Sequence, residues 1–154
     1  MEVRTILWPT DLSKNSIKAA KHVSSLADKY QARVVLLYVG VDLKSFLTAY
    51  GDVSEEHLKH FQEFEVKQVK KRLQAVCDEN LKACPNIQVK LVQGDAAAEI
   101  LKAVADEKAD MVVLTSHGRG HESLDQISPT FGSVADKVLR TSPVPVHLVN
   151  PFQK

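Results

Sequence analysis

Residues Arg33 to Val39 read RVVLLYV, a continuous apolar run that is rich in β-branched residues and is followed by Gly40. A run of this kind is typical of a strand buried on both faces, as in parallel sheets covered by helices. Further short apolar runs lie at 3–8, 87–92, 111–114 and 144–149. Segments with helical spacing of apolar residues lie between them. The resulting order, βαβαβαβαβ, predicts an α/β fold, a doubly wound parallel sheet with helices on both faces.

Residues typical of helix N-termini support this order. Ser13 can cap one helix that extends to Tyr30, and Ser54 precedes a long helix with early acidic residues. A third helix begins after Asp95 and the last at Ser133. The long helix is expected to end before Pro85 and to bury one apolar face, formed by Leu58, Phe61, Val69, Leu73 and Val76.

Two further prolines set limits on strands. Pro9 is expected to end the first strand, because proline lacks the backbone N–H of a ladder. Pro145 falls inside the last run, which places that strand at an edge of the sheet.

Composition limits the class of protein. The chain has 154 residues, a net charge of +1 and 44% hydrophobic residues, which predicts one globular domain spanning 1–154. The near-zero charge argues against nucleic-acid binding. The longest apolar run, 34–41, is too short to span a membrane, and no signal-peptide pattern opens the chain, so we expect a cytoplasmic protein.

Cysteine and histidine patterns predict no disulfide and no metal site built by the protein. Cys77 and Cys84 are seven residues apart in a helical pattern, or about 10 Å, whereas a disulfide needs Cα atoms within about 7 Å. We therefore expect free thiols. No histidine has a cysteine or carboxylate at ligand spacing that singles it out. The histidines are His22, His57, His60, His117, His121 and His147.

In doubly wound sheets, ligands bind beyond the carboxyl ends of the strands, where the strand order reverses. Asp11, Val39, Gly94 and the loop 115–120 follow predicted strands. Asp11 can contact a ligand or accept hydrogen bonds from the next turn, and the residues leave both readings open. Ser133 opens a helix whose free N–H groups suit an anion. Since Asp136 follows at capping-box spacing, a plain helix cap is the simpler reading of Ser133.

Several blocks of this sequence together resemble the universal stress protein (UspA-type) family. They are ILWPTDLS at 6–13, VLLYV at 35–39, TSHGRG at 115–120, GSVA at 132–135 and PVPV at 143–146. The resemblance extends from residue 3 to about residue 149. It implies a Rossmann-like five-stranded sheet of order 3-2-1-4-5. It also implies a homodimer paired through the strand Val144–Val149.

One branch of that family binds ATP through a loop of pattern G-x2-G-x9-G-[ST]. Gly118, Gly132 and Ser133 match this pattern, whereas Thr115 replaces the first glycine. Thirteen residues, where the pattern has nine, separate Gly118 from Gly132. The additional length lies in the insert 119–131. The resemblance implies that ATP or AMP, with Mg²⁺ on its phosphates, is bound by Pro9, Thr10, Asp11, Val39, Thr115, Gly118, Arg119, Gly132, Ser133 and Val134.

These observations favour a nucleotide-binding stress-response regulator that acts as a homodimer on an unknown protein partner. Catalysis is expected to be absent or limited to slow ATP hydrolysis, because no general base beyond Asp11 and no Walker-type lysine is in place. The alternative is a protein-interaction module without nucleotide, consistent with Thr115, the longer insert and the apolar residues of 41–53. An ATP pyrophosphatase is least consistent, because residues 9–13 lack the glycines of its phosphate loop.

Overall fold

The computed structural model describes residues 1–11, 13–40, 51, 54–80, 86–116 and 132–152. The strands are β1 Thr5–Thr10, β2 Arg33–Gly40, β3 Ile87–Gln93, β4 Met111–Thr115 and β5 Val146–Val149. The helices are α1 Lys14–Ile17, α2 Ala20–Tyr30, α3 Glu55–Asn80, α4 Ala96–Asp106 and α5 Ser133–Thr141. None of the helices in these ranges is long and apolar enough to cross a membrane.

All neighbouring strands pair in parallel, and their order is β3-β2-β1-β4-β5. The predicted doubly wound α/β fold and its strand order are confirmed. The strand order reverses between β1 and β4, so the two chain crossovers diverge there and leave a crevice at the carboxyl ends of these strands. The last strand is at the edge, as expected, but the expected bounds Val144–Val149 are wrong: β5 begins at Val146, so Pro145 lies immediately before it and not inside it.

The core lies in two layers, one on each face of the sheet. Alternation along β1 directs Trp8 into the layer covered by α2 and α3, and Leu7 into the layer covered by α4 and α5. Val23 of α2 is buried in the first layer, and Ile100 of α4 and Val138 of α5 are buried in the second. Helices therefore cover both faces, as the continuous apolar strands predicted.

The expectation that Pro9 ends the first strand is wrong, since β1 continues to Thr10. The Arg33 N–H donates to the Arg4 carbonyl, so even-numbered residues of β1 direct their backbone groups toward β2. Pro9 instead faces β4, where the pairing has already ended at Leu7. Its missing N–H therefore costs the β1–β2 ladder nothing.

The single helix predicted from Ser13 to Tyr30 is two helices, α1 and α2. Ser13 caps α1, as predicted, because its Oγ accepts a hydrogen bond from the Ser16 N–H at 3.1 Å. The N–H groups of Lys18 and Ala19 then bond to carbonyls three residues back, at 3.2 Å each. This tighter 3₁₀-type turn separates the two helices.

The apolar face predicted for α3 is wrong at Phe61, whose side chain is 60% exposed, whereas Val69 is buried as expected. The Gln62 amide reaches Gln93, the last residue of β3. The turns of α3 before Gln62 therefore extend beyond the carboxyl end of the sheet, where Phe61 has no strand to cover it. The side chains of Leu73, Val76 and Cys77 lie outside the described residues, as do Cys84 and Pro85.

Candidate functional site

A cavity of about 290 Å³ opens at the carboxyl ends of β1 and β4. Its volume is near the lower end of the roughly 300–1,000 Å³ typical of ligand pockets. The cavity brings together most of the site residues expected from the sequence, although they come from separate parts of the chain. These are Pro9, Thr10, Asp11, Val39, Thr115, Gly132, Ser133 and Val134. The other two, Gly118 and Arg119, lie outside the described residues, as does the rest of 117–131.

The hydrogen-bonded ladder between β1 and β4 ends before either strand does. Their last pair is Leu7 opposite Val112. The Val112 N–H donates to Pro145 of the chain entering β5, so the backbone groups of Val113 face β1. The next bond toward β1 would require an N–H at Pro9, which proline lacks. The ladder between β1 and β4 therefore ends at Leu7 and Val112, below the cavity.

The end of β1 contributes a buried network of hydroxyl groups. Thr10 Oγ1 and Ser16 Oγ lie 2.7 Å apart, and both residues are buried. Asp11, one residue further, accepts a hydrogen bond from the Ser13 N–H through Oδ1 at 2.9 Å. Asp11 therefore does accept a hydrogen bond from the next turn, one of the two roles that the sequence left open. It also lines the cavity, as a ligand contact would require. Buried polar groups clustered at a strand end are typical of a functional site.

The end of β4 holds the last helix in place. Thr115 is the final residue of β4, and Ser116 follows it with an exposed fraction of only 2%. The Ser116 carbonyl accepts a hydrogen bond from the Gly132 N–H at 2.8 Å. This bond fixes the start of α5 against the strand end, although the residues between these two positions lie outside the described part of the chain.

Helices α4 and α5, which both reach the cavity, differ at their N-termini. At α4, the Asp95 carboxylate accepts a hydrogen bond from the Ala98 N–H at 3.0 Å. At α5, the N-cap is Gly132, and no side chain of the described residues caps the helix. Asp136 instead contacts Arg140, at 3.0 and 3.1 Å, so the capping-box reading of Ser133 is wrong.

Because of this difference, the cavity has one end that suits an anion. The first residues of α5, Ser133 to Ala135, line it, and the first N–H groups of a helix carry a partial positive charge suited to an anion. Val39, Ile100 and Leu114 supply an apolar wall. Asp11 is the only ionisable side chain among the described lining residues. The arrangement suits a ligand with a flat apolar part and a negatively charged end.

Several residues that line the cavity were not predicted from the sequence. Ser16 and Ser116 are buried beside the predicted positions, and Ala96 and Ile100 come from α4. The spacing of Ser13 and Ser16 within one helical turn was a usable signal for the first. No local pattern indicates that Ile100 would reach the same cavity as Asp11.

A second cavity, of about 330 Å³, lies between α3 and the ends of β2 and β3. Glu65 lines it and has a buried Oε2 with no hydrogen-bond partner among the described residues. This cavity lies away from the reversal of strand order and has no helix N-terminus in its described lining. We therefore take the first cavity as the candidate functional site.

Comparisons with known proteins agree with this fold along almost the whole chain. Residues 2–150 match the universal stress protein family. The universal stress protein MJ0531 of Methanocaldococcus jannaschii is 30% identical over 152 residues, which cover 98% of this chain and 84% of that protein.

Solved structures show the same architecture. The hypothetical protein MJ0577, also from Methanocaldococcus jannaschii, aligns with a TM-score of 0.80 at 26% identity, covering 100% of this chain and 99% of that one. A universal stress protein from Archaeoglobus fulgidus, in complex with dAMP, aligns with a TM-score of 0.63 at 15% identity, covering 97% and 100%. At that identity, the second likeness shows the fold alone.

Proposed function

The chain belongs to the universal stress protein family, and we propose that it binds an adenine nucleotide, ATP or AMP, in the cavity between β1 and β4. The observation that carries the proposal is the N-terminus of α5, which no described side chain caps and which lines the same cavity as the apolar wall around Ile100. The dAMP complex of the Archaeoglobus fulgidus protein supports the choice of an adenine nucleotide.

In the proposed orientation, the phosphates lie at Ser133 and Val134, where backbone N–H groups can donate to their oxygens. The base packs against Val39 and Ile100, and Asp11 lies toward the adenosine. Thr10 and Thr115 line the space between these ends. Gly118 and Arg119 are expected to contribute from the adjoining segment, and Mg²⁺ to bind through the phosphates.

We propose a regulatory role with little or no catalysis. General acid–base catalysis needs an ionisable group within hydrogen-bond reach of the reacting atoms. Asp11 is the sole such group in the described lining, and its Oδ1 already accepts a hydrogen bond from the backbone of Ser13. Nucleotide binding would then regulate the protein by changing the surface that contacts a partner protein. ATP hydrolysis would be slow at most.

We also propose that the protein is a homodimer paired through β5. This strand is at the edge of the sheet, and His147 and the residues on either side of it pair with β4 on one side only. An exposed edge is a template for pairing with a second strand, here that of a second copy.

Isothermal titration calorimetry with ATP, AMP and adenosine tests the site. Ser133→Asp adds a negative charge at the first turn of α5, where it favours the helix but repels a phosphate. We expect it to weaken ATP binding at least tenfold while leaving adenosine binding and the melting temperature nearly unchanged. Ser133→Ala is the matched control and should retain ATP binding, whereas Asp11→Ala should weaken ATP and adenosine alike.

Two outcomes would contradict the nucleotide proposal. One is the absence of heat from the wild-type protein up to millimolar ATP, with and without Mg²⁺. The other is equal ATP affinity in the wild type and Ser133→Asp. Trp8 is not a suitable reporter, although it is the only tryptophan, because it is buried in the layer covered by α2 and does not line the cavity.

A protein-interaction module without nucleotide is the second candidate, and one observation favours it. Phe61 and Phe64 are 60% and 62% exposed on neighbouring positions of α3. Exposed aromatic side chains are common in contact surfaces. If ATP fails to bind, Phe61→Ser with Phe64→Ser should reduce binding of the protein partner without lowering the melting temperature.

A further inference from the structure

Two histidines that are 125 residues apart in the sequence lie side by side at the edge of the sheet. His22 is on α2 and His147 is on β5. The distance from His22 Nδ1 to His147 Nε2 is 3.1 Å. Their ring centroids are 5.3 Å apart and the ring planes are inclined by 47°, so the rings meet through these nitrogens and are not stacked face to face.

We propose that His22 and His147 form a two-imidazole site for a divalent transition-metal ion such as Zn²⁺ or Ni²⁺. Metal–nitrogen bonds of about 2.0–2.1 Å at tetrahedral or octahedral angles place two nitrogen ligands roughly 2.9–3.4 Å apart. The observed separation of 3.1 Å falls in this range without any movement of the backbone. Small rotations about the soft χ2 torsions direct both lone pairs at a shared ion.

The chemistry of the pair selects the class of metal. Imidazole nitrogens favour Zn²⁺, Ni²⁺ and Cu²⁺, whereas Mg²⁺ and Ca²⁺ prefer oxygen ligands. A histidine ligates a metal in its neutral form. Burial, followed by the proximity of His22, lowers the pKa of His147 from its ordinary value of 6.5, which favours that form at neutral pH.

The pair leaves coordination positions open. Within the described residues, no cluster of three or more His, Cys, Asp or Glu side chains is placed to hold a metal. Since His22 is exposed, water or a small anion can complete the coordination sphere from the solvent side. This site differs from the nucleotide cavity, whose described lining includes neither histidine.

A bound ion would connect α2 to β5. This strand has four residues and, among the described strands, pairs only with β4, so a metal bond to α2 would hold it more firmly against the body of the domain. A metal that binds the folded chain alone stabilises it by mass action. The proposed site departs from our expectation of no metal site, which rested on ligand spacing along the sequence and could not include a pair brought together by the fold.

Calorimetry with ZnCl₂ and NiSO₄ on the untagged, chelator-treated full chain tests the proposal. We expect one ion per chain, with affinity reduced at least tenfold by His22→Ala and by His147→Ala, and no binding of MgCl₂. The matched control is His57→Ala with His60→Ala, which removes the other closely spaced histidine pair and should retain the site. A rise in melting temperature on adding Ni²⁺ should be present in the wild type and this control, and lost in both test variants.

The alternative is that the two rings share only a hydrogen bond. The proposal is overturned if the wild type binds neither ion at millimolar concentration. It is also overturned if both His22→Ala and His147→Ala bind as tightly as the wild type, because other histidines would then hold the metal. Circular dichroism of each variant verifies that it is folded.

Discussion

Leu7 lies opposite Val112 in the last pair that joins β1 to β4. Both residues are completely buried, and the hydrogen-bonded ladder ends immediately after them. Because the next bond toward β1 would need an N–H at Pro9, the proline ends the ladder beside the crevice that the reversal of strand order leaves. Proline usually ends a strand. Here Pro9 leaves the pairing of β1 with β2 intact and ends only its pairing with β4.

Replacing Pro9 with alanine tests this explanation. The new N–H can donate to the Val113 carbonyl and extend the ladder by one bond, which would draw the strand ends together. We expect nucleotide affinity to fall several-fold, measured by calorimetry. Stability should change little, because a new hydrogen bond contributes about 0.5–1.5 kcal/mol and the loss of proline rigidity costs about 0.4–1 kcal/mol.

Hydrogen exchange provides a direct readout of the same variant. The amide at position 9 should exchange slowly if it joins the ladder. A rapidly exchanging amide together with wild-type affinity would show that Pro9 does not limit the pairing.

The hydroxyl pair Thr10–Ser16 should couple the end of β1 to α1. Thr10→Val and Ser16→Ala each remove the hydrogen bond between the two buried hydroxyl groups, which costs about 0.5–1.5 kcal/mol of stability. The double variant loses this bond only once, so its loss should be smaller than the sum by about 1 kcal/mol. Urea unfolding of the four proteins measures this coupling, and strict additivity would show that the 2.7 Å contact contributes nothing.

The strands and most of the site could be predicted because their signals are local. Continuous apolar runs such as RVVLLYV determine buried strands, and the strand ends then place Asp11 and Thr115 at one edge of the sheet. The resemblance to a known family added the strand order and Val134. What these signals could not give is which side chains from different elements meet.

The wrong or missing predictions concern side chains whose surroundings depend on other elements of the fold. Phe61 has good helical spacing, yet its turn extends beyond the sheet, and sequence periodicity carries no information on where the sheet ends. Ser133 has capping-box spacing to Asp136, but the carboxylate pairs with Arg140 one turn further on. His22 and His147 are adjacent only because α2 and β5 pack near the same edge.

Stability should depend on pH through His147. Burial, and then the nearby His22, lowers the pKa of His147 below its ordinary value of 6.5, so between these two pKa values the unfolded chain binds more protons than the folded chain. The free energy of unfolding should therefore fall as the pH drops below about 6.5, and level off once the folded pKa is passed. Urea unfolding from pH 8 to pH 5 measures this dependence.

Two variants separate the causes of that pH dependence. His147→Gln removes the titrating group and should flatten this part of the profile, whereas His22→Gln removes only the second cause and should flatten it in part. A wild-type profile in His147→Gln would assign the dependence to other groups.

The proposed dimer through β5 can be tested at a single backbone N–H. The Val112 N–H donates to the Pro145 carbonyl and the Ser116 N–H to that of Val149, so Val146 and Leu148 direct their backbone groups toward the open edge. Val146→Pro removes an edge N–H without breaking a bond to β4, and proline is tolerated at the first residue of a strand. Val146→Ala shortens the same side chain but keeps the N–H. Sedimentation equilibrium at micromolar concentration should give dimers for the wild type and Val146→Ala and monomers of 17.1 kDa for Val146→Pro, whereas a monomeric wild type would remove the claim.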